Sequence, residues 1–226
     1  MGQLLLVRHG QASWGTEDYD VLSPLGWEQS RMLGTALGER GLSPEVVVQG
    51  GMRRHRETAV GVCESAGWTE VARMNDRGWN EFDHVGMLAA QATPAFAGME
   101  PTPAEFQDWF ESATARWVSG EANADYEESF GVFTGRVNEA LDRTAAMVGT
   151  NGTGVVFTSG GAIAWVATGL LLGPGAPEEV CATLWGQLNK VIVNTSVTKV
   201  VVGRRGATLV SFNEHAHLEG DGLTYR

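Results

Sequence analysis

Leu4-Leu5-Leu6-Val7-Arg8-His9-Gly10 is an apolar run that ends in a guanidinium, an imidazole and a glycine. Four consecutive aliphatic residues bounded by a turn former read as a buried strand of a parallel sheet. In open α/β sheets ligands bind beyond the carboxyl ends of the strands, so Arg8 and His9 are expected to project into that crevice. Arginine presents a planar fork of donors that matches phosphate, and it keeps its charge at any working pH. A neutral histidine beside it is able to act as a nucleophile.

A second segment repeats the pattern. Val46-Val47-Val48 is another buried-strand candidate, and Gln49-Gly50-Gly51 reads as a turn. Met52-Arg53-Arg54-His55-Arg56-Glu57-Thr58-Ala59 then starts a helix whose apolar positions Ala59, Val62, Cys63 and Ala66 recur at helical spacing. The chain holds 16 Lys and Arg against 27 Asp and Glu, so three arginines within four positions stand out. Like charges crowd best around an anion. Arginine at a helix N-terminus also opposes the macrodipole, which favours anions there. Both points predict a bound anion.

These segments resemble the histidine phosphatase superfamily, also called the phosphoglycerate mutase-like family. Arg8-His9-Gly10 matches its first motif, and Leu22-Ser23-Pro24-Leu25-Gly26-Trp27-Glu28-Gln29 resembles its helix-start motif. Arg54, Thr58 and Ala59 match its Arg-x-x-x-Thr-Ala motif, and Trp79-Asn80-Glu81-Phe82-Asp83 places the family acid at Glu81. Asn213-Glu214-His215-Ala216-His217-Leu218 resembles its C-terminal segment. The matches run to about residue 84 and resume from about residue 126. The resemblance implies a three-layer α/β/α fold, a mostly parallel central sheet with a helical insert. It also implies phosphoryl transfer through a phosphohistidine.

One departure bears on the chemistry. The family's last motif is a strand, then His-Gly-Gly, then a helix. Val155-Val156-Phe157-Thr158-Ser159-Gly160-Gly161-Ala162-Ile163 keeps the strand, the glycines and the helix but carries Ser159 in the histidine's place. The family's second histidine contacts the transferred phosphoryl group. Serine donates one hydrogen bond and carries no positive charge. Gly160 and Gly161 still let the backbone approach an anion at a helix N-terminus. A further departure is Gly15, where mutases of the family often carry an asparagine that touches phosphate.

Composition sets the outer limits. A chain of 226 residues is compatible with one large α/β domain, 1–226, and is long enough for a substantial core. No apolar run approaches the roughly 20 residues a spanning helix needs. Strand residues follow Met1 at once, which predicts no signal peptide and a cytoplasmic protein. Cys63 and Cys181 both fall in apolar helical patterns and are expected as buried thiols of a reducing compartment. A net charge of −11 argues against nucleic acid or an anionic membrane as partner. The sequence leaves the oligomeric state open, a homodimer included.

Along the chain, strands and helices alternate. Strand 3–7 leads to a helix near 25–38, and strand 46–49 leads to a helix near 55–66. A helix near 126–148 carries Phe130, Phe133, Val137, Ala140 and Leu141 at core spacing. Strand 154–158 leads to helix 161–172, and Pro177 starts another helix through about Leu188. Val191-Ile192-Val193 reads as a strand. Thr198–Val202 and Thr208–Phe212 flank Gly203-Arg204-Arg205-Gly206 as a hairpin. Such alternation predicts a mostly parallel sheet with helices on both faces.

Residues 85–125 break this rhythm with Pro94, Pro101 and Pro103, and they are loaded with Phe96, Met99, Phe106, Trp109, Phe110 and Trp117. They are expected to form a helical insert that closes a small core, serves as a lid over the crevice, or does both. Gly149-Thr150-Asn151-Gly152-Thr153-Gly154 imitates a dinucleotide fingerprint but precedes a strand, so it reads as a plain turn. The five histidines lack metal-ligand spacing, and neither a metal nor another cofactor is implied.

The resulting expectation is a phosphomonoesterase for a small phosphorylated substrate. His9 would attack phosphorus while Arg8 and Arg54 hold the equatorial oxygens. Glu81 would protonate the leaving alkoxide and then deprotonate the attacking water. Ser159 and Gly160 would complete the phosphate site, with His84, expected in a loop at the crevice mouth, replacing the missing cation. Two alternatives stand beside it: an impaired phosphate-ligand-binding protein on the same fold, and a phosphomutase.

Overall fold

The computed structural model describes residues 1–13, 20–94, 96 and 101–225. Gly15 and Met99 lie outside them. The first half runs β1 (Gly2–Arg8), α1 (Pro24–Glu39), β2 (Val46–Gln49), α2 (Arg53–Ala66), β3 (Arg73–Asn75), α3 (His84–Ala89) and α4 (Pro103–Ser119). The second half runs α5 (Phe130–Val148), β4 (Thr153–Thr158), α6 (Gly160–Leu172), α7 (Glu178–Asn189), β5 (Val197–Gly203) and β6 (Gly206–Glu214).

The strands form one sheet in the order β3-β2-β4-β1-β5-β6. β3, β2, β4 and β1 are parallel, and β5 and β6 add an antiparallel edge. The apolar run of β1 divides by its pleat. Leu4 and Leu6, with Val46, Val48 and Val156, meet Phe133, Val137, Ala140 and Ile163 on one face. Leu5 and Val7, with Val47, Val155 and Phe157, meet Leu33, Leu37, Ala59, Val62 and Cys63 on the other. Both faces are covered, which is why these strands read as continuous hydrophobic runs.

Two sequence motifs explain each other here. A Cβ on Gly10 would lie 2.4 Å from the Gly26 carbonyl oxygen, and one on Gly26 would lie 2.2 Å from that of Gln11. The strand-end glycine and the glycine of α1's first turn are therefore the two sides of one close backbone approach. Ser23 caps α1 by accepting from the Gly26 amide, and Pro24 occupies the first turn. Buried Gln29 accepts from the Gln11 amide and donates to the Gly222 carbonyl and the Thr224 hydroxyl.

Several expectations are corrected. Val191–Val193 is not a strand; it belongs to a connection in which Ile192 and Val193 are fully buried. Its backbone is spent elsewhere: the Ile192 carbonyl accepts from Arg8 Nη1, and the Val193 amide donates to Asn213 Oδ1. β5 has already taken the free edge of β1. A three-residue apolar run does not separate a strand from a buried loop. β3 escaped the sequence reading because its three residues are all exposed and carry no hydrophobic signal. His84 stands not in a loop but at the start of α3, which Asp83 caps by accepting from the Gly86 amide. The helix expected from residue 126 begins at Phe130, because Ser129 caps it. Cys63 is buried, which pushes its thiol up to about 11, whereas Cys181 is half-buried.

Within the insert, α4 starts with a capping box between Thr102 and Glu105. Trp117 stacks on Phe82 and packs against Phe130, Phe133 and Trp185, so this end of the insert joins the main core. Phe96, Phe106, Trp109 and Phe110 contact one another at the other end. Among the described residues, no helix is long and apolar enough to cross a membrane.

Candidate active site

The parallel register decides which residues meet. Arg8 pairs with Thr158, and Gln49 pairs with Phe157, so β1, β4 and β2 end side by side. His9, Ser159 and Gly50 are the next residues along these three strands. The His9 amide donates to the Thr158 carbonyl at 2.9 Å, and the Gly50 amide donates to the Phe157 carbonyl at 3.0 Å.

His9 is only 6% exposed. Its Nδ1 lies 2.7 Å from the Gly10 carbonyl, and its Nε2 lies 3.2 Å from Arg54 Nε. A carbonyl only accepts and a guanidinium only donates, so the partners assign Nδ1–H and an Nε2 lone pair. Burial, then the charges of Arg54 and Arg8 and the neighbouring His55, hold this imidazole well below its ordinary range. The result is a neutral ring with its basic nitrogen toward Arg54.

The backbone of His9 is fixed from the far side. Its carbonyl accepts from Asn194 Nδ2 at 3.0 Å and from the Thr195 amide at 3.3 Å. Thr195 has φ of 57°, a left-handed conformation costly for a β-branched residue. Its hydroxyl donates to the Asn194 carbonyl and so accepts from His217 Nε2 at 3.0 Å. Asn213 bonds the backbone of Val191 and Val193. The C-terminal motif thus buttresses the connection on which His9 rests.

Of the crowded arginines, only Arg54 turns inward. It is 4% exposed and also pairs with Asp20 through Nη1 at 2.8 Å. Arg53 pairs with Glu57 at 2.8 Å on the surface, and Arg56 donates to the Gly51 carbonyl. The charges of Arg53 and Arg56 go to separate acceptors on the surface, which leaves Arg54 as the arginine of the three at the crevice, the one whose spacing to Thr58 matches the motif. Thr58 explains the four-residue offset from Arg54. Its hydroxyl donates to the Arg54 carbonyl and accepts from the Gly10 amide at 3.0 Å, tying α2 to the end of β1.

Glu81 reaches the same crevice from the opposite side. One carboxylate oxygen accepts from the Gly161 amide at 3.1 Å, in the first turn of α6. A Cβ on Gly161 would lie 2.2 Å from the other oxygen, so glycine there makes room for the carboxylate. His84 lies within electrostatic reach of Glu81 and Arg54; burial lowers its pKa, while Glu81 counteracts that shift. Gly160 faces the Arg8 guanidinium, with a Cβ there 3.7 Å from Arg8 Nε. The structure thus gathers His9, Arg8, Arg54, Glu81, Ser159, Gly160 and His84 around the carboxyl ends of the parallel strands.

It also brings in a residue that the sequence reading passed over. His55 is fully buried, its Nε2 is 2.7 Å from Ser159 Oγ, and its ring centroid is 5.7 Å from that of His9. Burial and the charges of Arg54 and Arg56 hold it well below the ordinary imidazole range. The available signal was a histidine directly after the clamp arginine in a chain that lacks one at position 159.

Two imidazoles buried in neutral form link stability to pH. Below about pH 6.5 the unfolded chain takes up protons that folded His9 and His55 refuse. Their contribution is complete above that unfolded value and is lost as pH falls through it toward the folded values. Denaturant midpoints at about pH 7.5 and about pH 5.5 should show stability falling by up to about 1.4 kcal/mol per pH unit for each imidazole. A flat profile across that window contradicts their neutral burial.

Among the described residues, no group of three or more His, Cys, Asp or Glu is placed to hold a metal ion. The chain is 35% identical over 120 residues to the 2,3-bisphosphoglycerate-dependent phosphoglycerate mutase of Thermobifida fusca, a match covering 48% of this chain and 43% of the mutase. The corresponding mutase of Chelativorans sp. is 30% identical over 89 residues, covering 37% of this chain and 43% of that protein. The chain thus spans less than half the length of these relatives. Among solved structures, phosphoserine phosphatase from Entamoeba histolytica superposes with a TM-score of 0.66 at 20% identity, covering 97% of this chain and all of that one. A mycobacterial glucosyl-3-phosphoglycerate phosphatase superposes at 0.63 and 22% identity, covering 93% and 98%. The model of the histidine phosphatase superfamily (branch 1) matches residues 4–215, and the chain belongs to that family.

Proposed function

We propose that this protein is a phosphomonoesterase that hydrolyses a small phosphorylated substrate through a phosphohistidine at His9. The observation that carries the reading is the state of that ring: buried, neutral, and presenting an Nε2 lone pair beside a buried arginine. In the first step Nε2 forms a bond to phosphorus, and the bond from phosphorus to the ester oxygen breaks. Glu81 donates a proton to the departing alkoxide. Arg54 exchanges its bond to His9 for one to an equatorial oxygen, and Arg8 holds another. In the second step Glu81 takes a proton from water, the water oxygen bonds phosphorus, and the P–N bond breaks to return neutral His9. Two easier displacements replace one very slow one.

Substrate choice is assigned to the insert at 85–125, which acts as a lid, with His84 and Glu81 at its base. The solved phosphatases with this fold are named for phosphoserine and a phosphoglycerate derivative, which favours a small organic phosphate. A panel of phosphomonoesters, assayed beside His9→Ala, tests the reading. Steady release of inorganic phosphate that the variant lacks supports it. Equal rates in both proteins would leave a phosphate-binding role on the same fold.

A further inference from the structure

Ser159 occupies the position that caps α6, yet its side chain makes no capping bond. Its hydroxyl is turned to His55 Nε2 instead, at 2.7 Å, with both residues fully buried. His55 lies in the first turn of α2, and its ring lies in a slot cut for it. A Cβ on Gly50 would sit 2.1 Å from His55 Nδ1, so the glycine after β2 is what admits the imidazole. Among the described residues, Nδ1 itself has no hydrogen-bond partner. A ring placed only for packing would be served by an apolar residue, which leaves no buried polar atom unmatched.

The unmatched nitrogen also selects the tautomer. Orphaned buried N–H donors are rarer than under-satisfied acceptors, so the proton belongs on Nε2 and the bare lone pair on Nδ1. His55 then donates to Ser159 Oγ, and the serine's own proton is released toward a third group. Ser159 stands at the N-terminus of α6, directly beyond the end of β4, where the parallel register brings it alongside the end of β1, and the ring of its partner His55 has its centroid 5.7 Å from that of His9.

We propose that His55 supplies from α2 the imidazole that position 159 lacks, acting through the Ser159 hydroxyl on the transferred phosphoryl group. The proposal rests on the hydrolase reading above. The bonds run from His55 Nε2–H to Ser159 Oγ, and from Ser159 O–H to a phosphoryl oxygen. Each donor polarises the next, so the serine is a stronger donor than a lone hydroxyl. Ser159 is the catalytic residue of the pair, and His55 is its positioning residue. The family's direct histidine contact is replaced by a two-residue relay whose imidazole comes from a different element.

A double-mutant cycle on the full chain, with p-nitrophenyl phosphate as substrate, tests the relay. Ser159→Ala and His55→Leu should each lower kcat by about 10²-fold, the size of one lost preorganised donor, with KM little changed. Their double variant should be no slower than the worse single one. His55→Gln keeps an N–H donor and should outperform His55→Leu even if both lose equal thermal stability. The exchange variant, His55→Ala with Ser159→His, should recover much of the lost kcat. Single variants within about twofold of the parent, or losses that multiply in the double variant, overturn the relay and leave the hydrolase reading intact. A parent no faster than His9→Ala removes the hydrolase reading and the relay together.

Discussion

His9→Ala is expected to lose essentially all turnover, by roughly 10⁴-fold or more, the scale seen when a covalent nucleophile is removed. Alanine lacks both nitrogens, so no covalent phosphoenzyme forms and the arginines hold a substrate that has nothing to attack it. The fold should survive. The His9 backbone is held by Thr158, Asn194 and Thr195 through bonds that do not involve the side chain. Without this imidazole, the loss of stability on going to mild acid should be shallower than in the parent. Initial rates on an aryl phosphate, with melting temperatures measured in parallel, separate loss of chemistry from loss of fold. A variant that keeps a tenth or more of the parental rate, by this roughly tenfold criterion, contradicts the role given to His9.

Arg54→Ala is the second large effect, with an expected cost of about 2–4 kcal/mol in transition-state stabilisation, or about 10²–10³ in kcat/KM. Arg53 and Arg56 provide the internal control. They flank Arg54 in sequence and carry the same charge, but their guanidiniums bond Glu57 and the Gly51 carbonyl. Alanine at either should change kcat/KM by less than about fivefold, through the local field alone. If Arg53→Ala proves the more damaging, the register of the motif is misplaced. Asp20 adds a refinement. Its carboxylate, 2.8 Å from Arg54 Nη1, competes with any phosphate for that donor. Asp20→Asn should therefore lower the Kd for inorganic phosphate in a calorimetric titration.

Much of this site was legible in the sequence because the chemistry sits where strands stop. The aliphatic runs of β1, β2 and β4 announce themselves, and parallel pairing then brings His9, Gly50 and Ser159 together at the carboxyl end of the sheet. The pairing of Gly10 with Gly26, and of Thr58 with Gly10, was present as motif spacing, but only packing reveals what the spacing does. His55 escaped because its meaning lies in a contact 104 positions away in the chain. Nothing local distinguishes it from an exposed histidine among arginines. Val191–Val193 misled for the opposite reason: it is apolar and buried like a strand, but its backbone groups serve Arg8 and Asn213 rather than a neighbouring strand. Charge alone does not separate the three arginines in sequence; the four-residue offset to Thr58 singles out Arg54. One points inward, and two disperse along the surface.

Hydrolysis by this route requires a phosphoryl group carried by His9. Enzyme denatured during turnover of a labelled phosphomonoester should retain phosphate that is labile in acid and stable in alkali, as expected of a phosphoramidate. Digestion and mass spectrometry should locate it on the peptide containing His9, and the His9→Ala variant should retain none. Steady turnover by an enzyme that carries no such phosphate at any point, or phosphate found instead on Ser159, would contradict the account.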